Sequence, residues 1–420
     1  MTVPTTLRRA GLAAALMLSA LQPLAQAAPS PLLDASHPVS WWFAFKFNAA
    51  SFPGCGTAAP VNSCQFGGSP QGYTSGSSYS QQYVYASSSQ PALSQGGGCI
   101  GDTPADPVGA TFKQIYNGTL NYVVWNDQFY DDPSIASCSG NSCGAPWGHS
   151  KGVLAWDDQG NGVVMQVSTP SWPASGSAQY PRTSDGNTLG CVQDNDVQVS
   201  QHFFSLKLSH ADVLSVLQGL ANASVVTDVG NPQIVKNGGP ADIQAAVDQL
   251  GQKSDSAAPQ VSKLSSGVTL IAKPSALQVP PWQLVSAELG GVALRAATWW
   301  EGSKSTAIPT TTKAGAPACW DSSLPKPGPV AIATSGSWGG KIFSLQGGLG
   351  KNFNHAKIGV STSGAAYAIF GDMNQEGSLS GNCASAQNGR GGLFFALPNA
   401  ALAQSIAKLI GGSTAAAAAR

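Results

Sequence analysis

The chain has 420 residues, enough for two or three ordinary domains or one large α/β unit, and its formal net charge is zero. That balance excludes nucleic-acid binding through global positive charge, but it leaves a locally basic cleft open. Charged residues make up 10% of the chain and hydrophobic ones 42%, so a sizeable core is expected and global disorder is excluded.

At the N-terminus, Arg8-Arg9 precedes an apolar run from Ala10 to Leu21 that is too short to span a bilayer. Ala25-Gln26-Ala27 then supplies an A-x-A cleavage signal. Residues 1–27 are therefore expected to be a signal peptide, and the mature protein to be secreted or periplasmic, with no membrane helix further on. That compartment favours disulfides for the eight cysteines: Cys55, Cys64, Cys99, Cys138, Cys143, Cys191, Cys319 and Cys383. None is spaced as CxxC, and no histidine stands at zinc-ligand spacing beside them. Cys55–Cys64 and Cys138–Cys143 would close short loops; the pairing of the other four stays open.

Trp41 to Phe47 reads as a buried first strand, and Tyr83-Val84-Tyr85 as the one strand inside a Gly- and Ser-rich stretch over 52–110. A strand from Thr119 to Trp125 ends at Asn126-Asp127-Gln128, and a loop leads to Gly148-His149-Ser150-Lys151-Gly152-Val153. The next residues read as a hairpin turning at Asp158 to Gly162. After a strand over Val197 to Leu208, Ser209 and Asp212 form a capping box for a helix to about Ala221. A second helix is expected over Pro240 to Leu250, then a polar linker to Ser262. Val268 to Lys273 and Val292 to Trp300 read as strands, with a helix near Trp282 to Leu289. Asn354-His355-Ala356-Lys357 opens a strand, turn and strand, and a last helix spans about Ala400 to Ile410. The expected organisation is an N-terminal half over 28–225, a C-terminal half over 226–412 and a disordered tail over 413–420.

Two of the five histidines carry lysine two residues on, and each pair opens a strand-turn-strand unit. Ser168 and Asn374 fall at the same offset from their histidines, which is the trace expected of a duplication with a pseudo-twofold axis. Residues two apart on a strand share a face, so each motif offers an imidazole beside an ammonium. Two such pairs across one pocket suit a phosphodiester. The lysines neutralise the phosphate, one imidazole attacks phosphorus, and the other gives its proton to the leaving oxygen. That chemistry calls for no metal or other cofactor, and no His or carboxylate cluster is spaced to hold one. His37, His202 and His210 have no such context and read as structural.

With these residues in place, the chain resembles the deoxyribonuclease II family. The resemblance runs in order through Trp42 to Lys46, Tyr83-Val84-Tyr85, Tyr122 to Gln128, Gly148 to Leu154, Trp299, Asn354 to Ser361, Gly371-Asp372-Met373-Asn374 and Gly389 to Gly392. It implies an α/β fold: a duplicated phospholipase D-like α-β-α sandwich, with two pseudo-twofold-related halves and mixed sheets flanked by helices. It also implies metal-independent endonucleolytic hydrolysis of DNA to 3′-phosphate and 5′-hydroxyl ends, favoured by acid. His149 and His355 match the catalytic histidines, Lys151 and Lys357 the phosphate ligands, and Asn374 a phosphate-holding asparagine. His149 is favoured as nucleophile, although pseudo-symmetry permits the reverse.

Asp127 and Asp372 are candidate orienting acids, and Trp147, Trp299 and Arg390 candidate DNA contacts in a local groove. Some positions depart from the family pattern. Val167-Ser168-Thr169-Pro170 lacks the histidine of animal members, and Asn354 replaces an aspartate. The phospholipase D pattern also wants an aspartate after each motif, and only Asp157 lies near such a place. Two alternatives share these features: a phospholipase D-type enzyme acting on a non-DNA diester, and a non-catalytic secreted binding protein. The residues set no oligomeric state.

Overall fold

The structure, a computed structural model, describes residues 1–2, 28–54, 79–101, 104–116, 120–128, 143–170, 198–232, 234–300, 310–375, 383–385 and 387–417. The signal segment at 3–27 and Cys55, Cys64, Cys138 and Cys191 lie outside the described residues.

The first half contributes strands β1 (Trp41–Lys46), β2 (Tyr83–Ser87) and β3 (Ser94–Gln95), then helix α1 (Pro107–Tyr116). After these come β4 (Asn121–Asn126), β5 (Lys151–Trp156), β6 (Gly162–Val167), β7 (Gln201–Leu208), α2 (His210–Asn222), β8 (Val235–Lys236) and α3 (Ala241–Val247). The second half begins with β9 (Gln260–Lys263), β10 (Thr269–Lys273), α4 (Pro281–Glu288), β11 (Leu294–Ala297), β12 (Val330–Ile332), β13 (Ser335–Trp338) and β14 (Lys341–Ser344). It closes with β15 (Ile358–Ser361), β16 (Tyr367–Gly371), β17 (Gly392–Pro398) and α5 (Ala400–Leu409). No helix among the described residues is long and apolar enough to cross a membrane.

The result is a mixed α/β protein built on two large sheets. The first has eight strands, β3-β2-β1-β7-β6-β5-β4-β8, with every neighbouring pair antiparallel. The second has seven, β12-β11-β15-β16-β17-β10-β9, and only β11 and β12 run parallel. The orders correspond over five central strands: β1-β7-β6-β5-β4 lines up with β10-β17-β16-β15-β11 in both place and chain order, and a helix comes after β7 and β17 alike. The edges differ, since β3 has no counterpart, β2 follows β1 whereas β9 precedes β10, and β8 pairs antiparallel where β12 pairs parallel.

β1, β4, β5 and β6 are buried along their whole lengths, because each sheet is covered on both faces. That explains why their sequences read as continuous apolar runs instead of alternating. On β1, Trp42 faces α1 and donates its indole N–H to Thr111 (3.0 Å). Its neighbour Phe43 points the other way and stacks on Phe370 of β16 at 4.8 Å. Phe204 of β7 stacks on the same ring at 4.2 Å, so the sheets meet through aromatic side chains. The capping box at Ser209 and Asp212 is present and starts α2 where expected. Gly219 of α2 sits against Ala272, Leu270 and Leu393 of the second sheet.

Four features differ from the sequence expectations. An unexpected helix, α1, starts in the last residues of the Gly- and Ser-rich stretch and runs past it, its first turn held by Asp106, whose carboxylate accepts the Gly109 N–H (2.9 Å). Its apolar face is Val108, Phe112 and Ile115, all buried. The expected linker ends in a strand, β9. β17 is a further buried strand beside β10 and β16. The tail expected to be disordered over 413–420 is instead seated as far as Ala417. Arg295 donates to Ile410 O, Gly412 O, Ser413 O and Thr414 Oγ1, and bridges join Thr414 to Ala333 and Ala417 to Thr310. Cys319 pairs with Cys383, one of the pairings left open, and Cys99 and Cys143 are also disulfide-bonded.

Candidate active site

His149 stands two residues before β5, and His355 three residues before β15, at equivalent strand ends in the two sheets. The chain around His149 can approach α2 only because two glycines lack side chains. A Cβ at Gly148 would lie 2.8 Å from the Ala223 carbonyl oxygen, and one at Gly391 2.0 Å from it. Gly148 N–H donates to Ser224 O (2.9 Å), and His149 N–H donates to Gly391 O (2.8 Å). The His149 ring is half-buried, and its Nδ1 lies 2.7 Å from the backbone oxygen of Asp372. A carbonyl only accepts, so Nδ1 carries the hydrogen and Nε2 keeps its lone pair. Burial, then the Lys151 ammonium, hold this imidazole well below the ordinary histidine pKa.

His355 is buried, and its N–H donates to Ser200 O (2.8 Å). Its Nε2 donates to Gly348 O (3.1 Å), and Trp299 lies against the ring with centroids 4.5 Å apart. Burial and the Lys357 charge likewise depress its pKa. Asn354 clamps its own loop: Oδ1 accepts Ala356 N–H (3.0 Å) and Nδ2 donates to Ala356 O (2.9 Å). It therefore supplies no acid to His355.

The two lysines differ. Lys151 Nζ meets Asp127 Oδ1 at 2.5 Å, and the other oxygen of Asp127 takes Arg390 Nη2 at 2.8 Å. Burial opposes ionisation of Asp127, but the Lys151 and Arg390 cations outweigh it and hold the carboxyl well below the usual carboxylate range. Lys357 is 2% exposed, and no hydrogen bond or ion pair holds its ammonium among the described residues. Burial, then the charge of Lys151, pull its pKa down to about 7. The charge of Lys357 acts on His149, and that of Lys151 on His355, so the two motifs form one electrostatic cluster.

Asp372 presents Oδ2 to Ser150 Oγ (2.5 Å) and Leu393 N–H (3.0 Å), while its buried Oδ1 meets no hydrogen-bond partner among the described residues. Burial raises this carboxyl to about 7. Asn374 is buried beside it with Oδ1 also unpartnered. Unpaired buried acceptors and an unpaired buried cation are what a ligand is expected to complete.

Two expected DNA contacts are placed otherwise. Arg390 is buried, with Nε on Trp147 O (3.1 Å) and Nη2 on Gly148 O (2.9 Å) as well as on Asp127, so it holds the loop before His149. Trp147 is also buried, with Lys253 Nζ 5.6 Å from its ring centroid. Trp299 remains at the site, against His355. Asp157 shapes the β5–β6 turn by accepting the amides of Gln159 and Asn161 (3.0 and 2.9 Å).

The shared offset of Ser168 and Asn374 does not survive in space. Ser168 N–H donates to His202 O (3.1 Å), as Asp372 N–H does to Leu393 O (3.1 Å). Ser168 thus corresponds to Asp372, because the second hairpin is two residues shorter: Gly152 pairs with Gln166, whereas Ile358 pairs with Phe370.

His202 also meets the cluster, although its sequence context marks it only as a strand residue. Its Nδ1 accepts the Lys357 N–H (3.1 Å), and its buried Nε2 has no partner. No local pattern signals this, since the contact crosses between sheets. His37 and His210 pair with Asp34 and Asp242 at exposed positions, as structural residues would.

No curated protein matches the chain. The deoxyribonuclease II family profile matches residues 31–414, which takes in both large sheets, both His-x-Lys motifs and every residue of the cluster. Matched over nearly its whole length, the chain belongs to the deoxyribonuclease II family of DNA-hydrolysing nucleases.

Proposed function

We propose that the protein is an exported, acid-favouring endonuclease that cuts DNA through a phosphohistidine, and that its two sheets are duplicated halves of a phospholipase D-like sandwich. The matched strand orders support the second part of this reading. One observation carries the first. Lys357, 2% exposed, has no hydrogen bond or ion pair on its ammonium among the described residues, and it stands in one electrostatic cluster with two histidines that their surroundings keep neutral.

A phosphodiester entering this cluster gives Lys357 its missing anion. His149 attacks phosphorus through the Nε2 lone pair, while Nδ1–H stays on Asp372 O and steadies the positive charge that develops on the ring. The P–O5′ bond breaks, and His355, neutral on its own but protonated from acidic solvent once the phosphate's negative charge lies beside it, gives that proton to the leaving 5′ oxygen. His355 then takes a proton from water, the resulting hydroxide attacks phosphorus, and the N–P bond breaks. The products are a 3′-phosphate, a 5′-hydroxyl and free His149. This sequence of steps calls on no metal or other cofactor. Burial first, and then the charge of Lys151, leave His149 unprotonated for attack, while Asp127 holds that lysine in place.

Nicking of supercoiled plasmid in EDTA at acid and neutral pH tests the reading. Wild-type protein is expected to cut and to leave 3′-phosphate ends. His149→Ala and His355→Ala are each expected to lose about a thousandfold or more in rate. Wild-type rates in either variant would overturn the shared site.

A further inference from the structure

Two buried lysines outside the His-x-Lys motifs occupy corresponding places in the two sheets. Lys46 ends β1 and Lys273 ends β10, and both are fully buried. Lys46 Nζ donates to the carbonyl oxygens of Phe47 (3.2 Å), Ser80 (3.0 Å) and Val199 (2.6 Å). Lys273 Nζ donates to those of Pro274 (3.2 Å), Asn388 (2.7 Å) and Arg390 (2.8 Å). Each ammonium thus donates to three backbone carbonyls.

The carbonyl one residue beyond each last acceptor gives the arrangement its meaning. Beyond Val199 it is Ser200 O, which takes the N–H of His355. Beyond Arg390 it is Gly391 O, which takes the N–H of His149. Lys46 belongs to the first half and stands one peptide from the bond that fixes the second half's histidine. Lys273 does the reverse. The link from lysine through the adjoining peptide to the histidine amide appears twice, and each time it crosses between the halves, although the middle acceptors, Ser80 and Asn388, come from unlike places in the chain.

Packing does not account for it. Burying an ammonium is unfavourable, and an apolar side chain of similar length would fill the space without that penalty. For Lys273 the penalty is visible, since burial alone pulls its pKa down to about 7. Donors directed at several backbone carbonyls do something that an apolar chain cannot: they fix the direction of the adjoining peptide.

We propose that Lys46 and Lys273 are positioning residues acting crosswise, Lys46 setting the orientation of His355 through Val199–Ser200 and Lys273 that of His149 through Arg390–Gly391. The inference rests on the catalytic reading of the two histidines only for its effect on rate, because the orientation itself can be measured without turnover.

The test uses the full chain with ¹⁵N-labelled histidine and the variants Lys46→Met, Lys273→Met, Lys46→Gln and Lys273→Gln. Imidazole ¹⁵N resonances are assigned through the His149→Ala and His355→Ala spectra. Lys273→Met is expected to move the His149 resonances and leave those of His355 in place, and Lys46→Met to do the opposite. In plasmid cleavage each is expected to lower kcat at least about tenfold, with KM within about twofold. The glutamine variants, which keep one donating amide, should recover part of both effects.

Both variants moving both histidines alike, or neither moving any, would overturn the crosswise assignment. Failure of all four variants to fold would overturn it too, assigning the lysines to structure alone. If wild-type protein cuts no DNA, the nuclease reading fails, while the crosswise shifts still decide the positioning role.

Discussion

Asp127 is the residue on which the basic side of the site depends. It is 1% exposed and divides its two oxygens between Lys151 and Arg390, so removing it would leave two cations buried without an anion. Asp127→Ala is therefore expected to destabilise the fold by about 3–5 kcal/mol, read by denaturant unfolding with disulfides intact. A loss below about 1 kcal/mol would mean that solvent reaches this network easily. Lys357 and Asp372 set a different expectation, because both titrate at about 7. As pH falls through that value Lys357 gains its charge and Asp372 loses its own, so the site becomes more positive on both counts. Binding of a fluorescent DNA oligomer to the inactive His149→Ala protein should tighten from about pH 8.5 to about pH 5.5. Affinity that is flat over this range would contradict the assignment, and Asp372→Asn should remove part of the dependence. For stability the two acids act oppositely. The raised pKa of Asp372 favours folding below its unfolded value, an advantage lost as pH rises through about 7, while the depressed pKa of Asp127 favours folding above its unfolded value and is lost in acid.

Among the elements, α2 links stability to the site. Its capping box starts it, and the carbonyls just past its end, at Ala223 and Ser224, are where the loops of Gly148 and Gly391 come to rest. Gly391→Ala would drive a methyl group into the Ala223 carbonyl and push Gly391 O away from the His149 amide. Cleavage is expected to fall at least about a hundredfold, more steeply than melting temperature alone would account for. Activity near wild type would show that the close approach is dispensable. Elements with local signals were legible in the sequence. The Ser209–Asp212 box, the all-apolar run of β1 and the turn at Asp158 to Gly162 each announce themselves within a few residues. α1 had a signal that the neighbouring composition masked: Val108, Phe112 and Ile115 stand at helical spacing where the Gly- and Ser-rich stretch ends. Other features depend on contacts between distant segments. The seated tail hangs on Arg295, more than a hundred residues upstream, and the register that equates Ser168 with Asp372 depends on the lengths of two turns.

At the scale of the whole molecule, the two sheets pack face to face through Phe43, Phe204 and Phe370, and the charge of each His-x-Lys lysine reaches the other motif's histidine. The two motifs themselves could be read from spacing, but the cross-sheet contact of His202 and the inward turn of Arg390 could not. The two halves are alike in strand order and unlike in charge pairing, and that difference gives the site a direction. A site with true twofold symmetry would receive a DNA strand running either way, breaking P–O5′ in one orientation and P–O3′ in the other. One lysine is already neutralised by Asp127 while the other awaits an anion, and one imidazole ring is anchored through Nδ1 while the other is anchored through Nε2. Strand polarity is then selected on entry, and every cut should leave the same chemistry, with phosphatase-sensitive 3′ ends and no 5′-phosphates among the products. A mixture of both kinds of end would show that the molecule reads its substrate as symmetrically as its folding pattern suggests.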